Sequence, residues 1–121
     1  MTTEELWQRY AAAWALGAAD RVRELPACVA GDVTYCDPNG PVEGWRALSD
    51  YMGAFQAAVP GGAFRIRAVL HHHDRSLARW ALHGPDGQIL QTGTSFGALD
   101  SDGRLAAVTG FFEPPAQEHP A

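Results

Sequence analysis

An α+β domain, helices first and sheet last, is predicted by three observations on this chain. Apolar residues recur at helical spacing through the first half. In the second half the period changes to the two-residue alternation of strands, broken by turn clusters. No repeat or linker divides the 121 residues, so one core and one domain are expected.

The elements follow in order. Thr2 with Glu5 forms a capping-box pattern that opens a first helix, carrying Leu6, Trp7, Tyr10, Ala11, Ala13 and Trp14, with Gly17 as its stop. Asp20 with Glu24 opens a second helix bearing Val22, Leu25, Cys28 and Val29, which Pro26 is expected to bend or split. Residues 33–36 read as a short strand that ends in the Pro38-Asn39-Gly40 turn. A third helix runs from Gly44 to Ala58, marked by Trp45, Leu48, Tyr51, Met52 and Phe55, and Pro60-Gly61-Gly62 ends it.

Residues 64–73, 76–83, 88–99 and 104–112 read as four strands in consecutive antiparallel hairpins. With Asp74-Arg75 as a two-residue turn, His73 faces Ser76, His71 faces Ala78 and Val69 faces Trp80. One sheet face then carries Arg67, Val69, His71 and His73 with Leu82, Trp80, Ala78 and Ser76. Phe64, Ile66, Ala68, Leu70, Leu77 and Ala81 point outward. The domain is expected to span 1–113, with 114–121 a flexible tail.

Composition narrows the function. The chain is 46% hydrophobic with a formal net charge of -5, so no basic face is present for nucleic acid. All nine positive charges are arginine, which excludes Schiff-base chemistry on a lysine amine. Cys28 and Cys36 form no CxxC pair and are expected to be small buried hydrophobes. No apolar signal core or membrane-length run is present, and the expectation is a cytoplasmic protein. A phosphate-binding loop and a GxSxG elbow are both missing.

Asp37 is the leading candidate for chemistry. It closes a strand just before Pro-Asn-Gly, where an aspartate either forms an Asx-turn or acts as a general base looking into an apolar cavity. Tyr10 shares a helix face with Leu6 and Trp14, and is either a core tyrosine or a hydrogen-bond donor to that cavity. Trp14, Tyr51, Phe55, Trp80 and Phe112 are wall and core aromatics that suit a flat apolar ligand. The run His71-His72-His73 does not make a metal site, because His71 and His73 share a face while His72 points away and no third ligand converges. No metal and no cofactor are expected.

The element order resembles the nuclear-transport-factor-2-like superfamily, in particular its SnoaL-like polyketide cyclases and ketosteroid isomerases. The residues that carry the resemblance are Asp32-Val33-Thr34-Tyr35-Cys36-Asp37-Pro38, Val42-Glu43-Gly44 and Asp102-Gly103-Arg104-Leu105 leading to Gly110-Phe111-Phe112. The resemblance implies a cone-shaped, cystatin-like fold, with three N-terminal helices on a curved, mostly antiparallel sheet. It also implies an apolar interior pocket and a homodimer. The isomerases' base falls on Asp37, their oxyanion tyrosine on Tyr10, and their second oxyanion acid on Ser95, which departs in residue type. The concave face gains Gln91, Gly93, Ser95, Gly97, Val108, Gly110 and Phe112, so Gln91, Ser95 and His71 are the polar groups expected to orient a ligand.

Three functions remain open from sequence. The first is a cofactor-independent isomerase, cyclase or lyase acting on a hydrophobic, polyketide- or steroid-like molecule. The second is a non-catalytic binding or accessory domain. The third is an epoxide hydrolase, which would need Arg67 or Arg79 and a second carboxylate near Asp37.

Overall fold

The computed structural model describes residues 1–114, and the tail expected beyond Pro114 lies outside the described residues. Three helices precede most of the sheet: α1 Thr3–Ala13, α2 Ala18–Cys28 and α3 Trp45–Ala58. Strands β1 Val29–Asp37 and β2 Gly40–Glu43 come before α3, and β3 Ala63–His72, β4 Arg75–His83, β5 Ile89–Leu99 and β6 Leu105–Phe112 follow it. They form one curved, open sheet in the order β2-β1-β6-β5-β4-β3. The β1–β6 pair is parallel and every other pair is antiparallel, so the α+β expectation holds with a mixed sheet.

Local chemistry explains the helix ends. Thr2 Oγ1 accepts the Glu5 N–H at 3.1 Å and caps α1. That helix stops at Ala13, one turn earlier than a Gly17 stop would give, and Gly17 instead caps the start of α2. Pro26 does not split α2, which continues to Cys28. Asp20 and Glu24 do not form a box there; they pair with Arg23 at 2.5 Å and Arg9 at 2.6 Å. Gly44 caps α3 at φ 85, a backbone conformation that favours glycine.

The sheet differs from the sequence expectation in three ways. Strand β1 starts at Val29, four residues early, and Gly40–Glu43 folds back on it as a short hairpin strand. The β3–β4 turn is His73-Asp74, because His73 adopts φ 52, and this slides the register by two residues. His71 therefore lies opposite Ser76 and Val69 opposite Ala78. A bulge between Ile66 and Ala68 then inverts the alternation. Phe64 and Ile66 turn inward, opposite Leu82 and Trp80, while Ala68 and Leu70 stay outward.

The helices cover one sheet face. Leu6, Trp7, Leu25, Leu48, Met52, Val33 and Leu105 make the core between the layers, and Cys28 is fully buried with them. Cys36 is exposed on the opposite face, contrary to expectation, because β1 alternation sends it away from its neighbours Tyr35 and Asp37. Among the described residues, no helix is long and apolar enough to cross a membrane.

Candidate functional site

Helices and concave sheet enclose a cavity of about 430 Å³. Its walls are apolar and rich in aromatic rings, and among the described residues Asp37 is the one charged side chain that lines it. Alternation along β1 sends Val33, Tyr35 and Asp37 to the same face, and Asp37 is only 9% exposed.

The Asp37 carboxylate has both a turn role and a place in the cavity. The Asn39 N–H donates to Oδ1 at 2.7 Å, closing an Asx-turn. Two phenols supply the remaining contacts. Tyr35 donates to Oδ2 at 2.6 Å, and Tyr51, from α3, lies 2.7 Å from Oδ1 and 2.8 Å from Oδ2. Burial and hydrogen bonding to Asp37 push both phenols well above the ordinary tyrosine range, so they remain donors.

Tyr10 lines the same cavity from α1. Its hydroxyl is buried and has no hydrogen-bond partner among the described residues. Burial raises its pKa well above that of free tyrosine, so it too is a protonated donor at neutral pH. An unpartnered buried hydroxyl is expensive unless a ligand or water completes it. Ser95 lies on the cavity wall, where its Oγ accepts the Trp80 indole N–H at 3.0 Å. That leaves the Ser95 proton free to donate.

Trp14 is the hub of the aromatic wall, with its ring centroid 5.7 Å from Tyr35, 6.0 Å from Tyr51 and 5.5 Å from both Phe55 and Phe64. Its position is set from behind: Gln56 Nε2 donates to the Trp14 and Leu16 carbonyls, each at 2.7 Å. The buried Arg21 donates to the Leu16 carbonyl at 2.6 Å and to Ser49 at 3.1 Å, tying α2 to α3.

The site residues expected from sequence divide clearly. Asp37, Tyr10, Ser95, Trp14, Tyr51, Phe55, Trp80, Gln91 and Phe112 all line the cavity. Gln91 is less free than expected, since its amide donates to the Thr92 and Glu113 carbonyls. His71 does not belong to the site: with the register two residues away, it sits at the outer end of β3, 3.2 Å from Glu4. Among the described residues no three His, Cys, Asp or Glu converge on a metal position. The epoxide-hydrolase set is not assembled, because Arg67 and Arg79 lie on the opposite sheet face beside Thr92 and Glu113.

Sequence reasoning did not assign Tyr35, Asn39, Trp7, Phe64 or Ile66 to the site. Tyr35 was readable, because it stands two residues before Asp37 on a strand. Phe64 and Ile66 were not, since only the bulge turns them inward. The interior glycines also have an unexpected role. A Cβ on Gly93 would stand 2.2 Å from the Trp80 ring, and one on Gly97 2.6 Å from the Trp7 ring. Indoles, not ligand space, occupy those gaps. Gly110 alone of the three would admit a Cβ at ordinary contact distance, 3.4 Å from Ser95 Oγ and 3.6 Å from Asp37 Cβ.

Known proteins agree with this architecture. A solved protein from Agrobacterium tumefaciens str. C58, provisionally assigned as an isomerase of the SnoaL-like family, is 27% identical, with 94% of this chain and 100% of that one covered at a TM-score of 0.87. A provisionally assigned SnoaL-like polyketide cyclase from Jannaschia sp. CCS1 shares 18% identity over 92% of this chain and 85% of that one, with a TM-score of 0.73. A provisionally assigned ketosteroid isomerase from Kribbella flavida DSM 17836 shares 19% identity over 98% of this chain and 83% of that one, at a TM-score of 0.68. No protein of curated function matches the chain in sequence. The family model for the SnoaL-like domain matches residues 7–112, nearly all of the described fold. The chain belongs to the SnoaL-like family, within the nuclear-transport-factor-2-like superfamily.

Proposed function

We propose that this protein is a cofactor-independent acid–base enzyme acting on a hydrophobic small molecule, of isomerase, cyclase or lyase type. The observation that carries this reading is one apolar cavity holding both the Asp37 carboxylate and the unpartnered Tyr10 hydroxyl. In this reading Asp37 takes a proton from a carbon next to a carbonyl. Tyr10 donates to the oxygen on which negative charge develops, and the free Ser95 proton supplies a second donor. The names given to the similar solved proteins support the same classes of reaction.

Three donors already hold Asp37, which aims its carboxylate rather than leaving it bare. Tyr51 spans both oxygens and is the contact best able to yield one of them to an incoming proton. The remaining wall excludes water and shapes a flat ligand. We also propose that the uncovered sheet face pairs two copies of the chain.

A carbon-acid probe tests the function directly. In D₂O, 2-tetralone should exchange its α-protons in the presence of the protein, as followed by proton NMR. Asp37→Asn should lower that rate by about a hundredfold, the usual contribution of a general base. Exchange at the buffer rate, or exchange unchanged in the variant, would count against the acid–base reading.

A further inference from the structure

We propose that the cavity binds an apolar organic cation, a tertiary or quaternary ammonium group seated beside Asp37. This rests on the reading of the cavity as a small-molecule site and narrows its substrate class.

The electrostatics of the cavity carry the argument. Among the described residues Asp37 is the single charged side chain lining it, and no arginine or histidine forms an ion pair with the carboxylate. Its partners are two phenols and a backbone amide, all neutral. A neutral ligand that fills the cavity would strip water from this charge without supplying an opposite charge. A cation in the same place offsets the desolvation it causes. The net charge of -5 adds a long-range attraction of the same sign.

The walls suit the same ligand. Organic ammonium groups bind to clusters of aromatic rings through the negative potential of the ring faces. Trp14, Tyr35, Tyr51, Phe55, Phe64 and Trp80 form one continuous chain of ring contacts, each 6.0 Å or less between centroids. Tyr35 and Tyr51 donate their protons to a carboxylate, which enriches their rings in electrons and strengthens that attraction.

Gly110 lines the cavity on the Asp37 side. A side chain there would meet Ser95 Oγ and Asp37 Cβ at ordinary contact distances, so the gap lies against the carboxylate-bearing residue. At Gly93 and Gly97 the equivalent gaps are closed by Trp80 and Trp7.

Two isosteres separate charge from shape: phenyltrimethylammonium and tert-butylbenzene, titrated into the purified protein at neutral pH with tryptophan fluorescence or NMR shifts as the readout. The cation should bind tighter than its neutral isostere, about tenfold or more. Asp37→Asn should bring the ratio close to one while tert-butylbenzene binding is retained. Gly110→Ala, which the surroundings admit, should weaken cation binding and so gives a second test if Asp37→Asn folds poorly. Equal or stronger binding of the neutral probe, or a cation preference that survives both substitutions, would overturn the proposal. Asp37-dependent exchange of 2-tetralone together with no cation preference would sink this inference alone and leave the acid–base reading standing.

Discussion

A single hydroxyl separates stability from function in this site. Tyr10 is buried without a partner, so its oxygen contributes nothing to the fold that a ring hydrogen would not. Removing an unsatisfied buried polar group is neutral or stabilising. Tyr10→Phe should therefore hold or raise the melting temperature, yet lower α-proton exchange by about tenfold or more, since it deletes one oxyanion donor. A melting temperature several degrees lower would mean that the hydroxyl has a structural partner. Asp37 behaves differently, because its oxygens accept from Asn39, Tyr35 and Tyr51. Asp37→Asn can keep part of this network by turning one phenol, whereas Asp37→Ala leaves the buried Tyr35 phenol and the half-buried Tyr51 phenol unpaired. The alanine variant should be the less stable of the two by about 1–3 kcal/mol, measured by denaturant unfolding.

At the scale of elements, strands hold both what the sequence revealed and what it concealed. The helices, the four long strands and the inward set on β4, β5 and β6 were readable, because alternation of two is a geometric necessity wherever one face is covered. Trp80 reaches the cavity on those grounds, whereas Asp37, Tyr10 and Ser95 were assigned to it by the family resemblance. The β3 face was not readable. A left-handed His73 moved the turn by one residue at each side, and the bulge near Arg67 reversed the pattern, so His71 left the site while Phe64 and Ile66 entered it. Neither event has a local sequence signal as strong as Asn-Gly. The glycines of β5 were visible, but which atoms filled their gaps depended on indoles distant in sequence. That filling can be tested. Gly93→Ala would place a methyl group 2.2 Å from Trp80 and 2.4 Å from the Phe111 carbonyl, and should destabilise by about 1–3 kcal/mol or more through overpacking. Gly110→Ala should fall well below that, because its closest contact is 3.4 Å. Similar losses in the two variants would contradict the packing described here.

For the whole molecule, one layer of helices on one sheet leaves the other face uncovered, and on it Leu70, Phe96 and Phe111 are about half exposed. Phe96 and Phe111 stand 5.8 Å apart, with Leu77 opposite Phe96, so the patch is continuous. The proposed pairing of two copies would bury it. Light scattering at micromolar concentration should give the dimer mass, and Phe96→Glu should give the monomer; monomer mass for the unaltered protein would remove the pairing.

The response to alkali follows from the buried phenols and thiol. Burial raises Tyr10, Tyr35 and Tyr51 above the ordinary phenol value of 10.0, and lifts the Cys28 thiol from 9.0 to about 11. Each group is therefore held protonated more firmly in the folded chain than in the unfolded one. The stability this gives is complete below pH 9 and is lost as pH rises through the unfolded values, since the unfolded chain then sheds protons that the folded chain keeps. Tyr10 and Tyr35, both buried, give a slope of about 3 kcal/mol per pH unit above pH 10, large against a domain stability of about 5–15 kcal/mol. Denaturant unfolding between pH 7 and 11.5 should show a plateau, then a decline that starts near pH 9 and steepens past 10. Tyr35→Phe should lower the plateau by the loss of one hydrogen bond to Asp37, yet make the decline shallower by about 1.4 kcal/mol per unit. Stability that stayed level to pH 11.5 would mean that these phenols titrate in the folded chain as they do in water, and that the cavity wall is open to solvent.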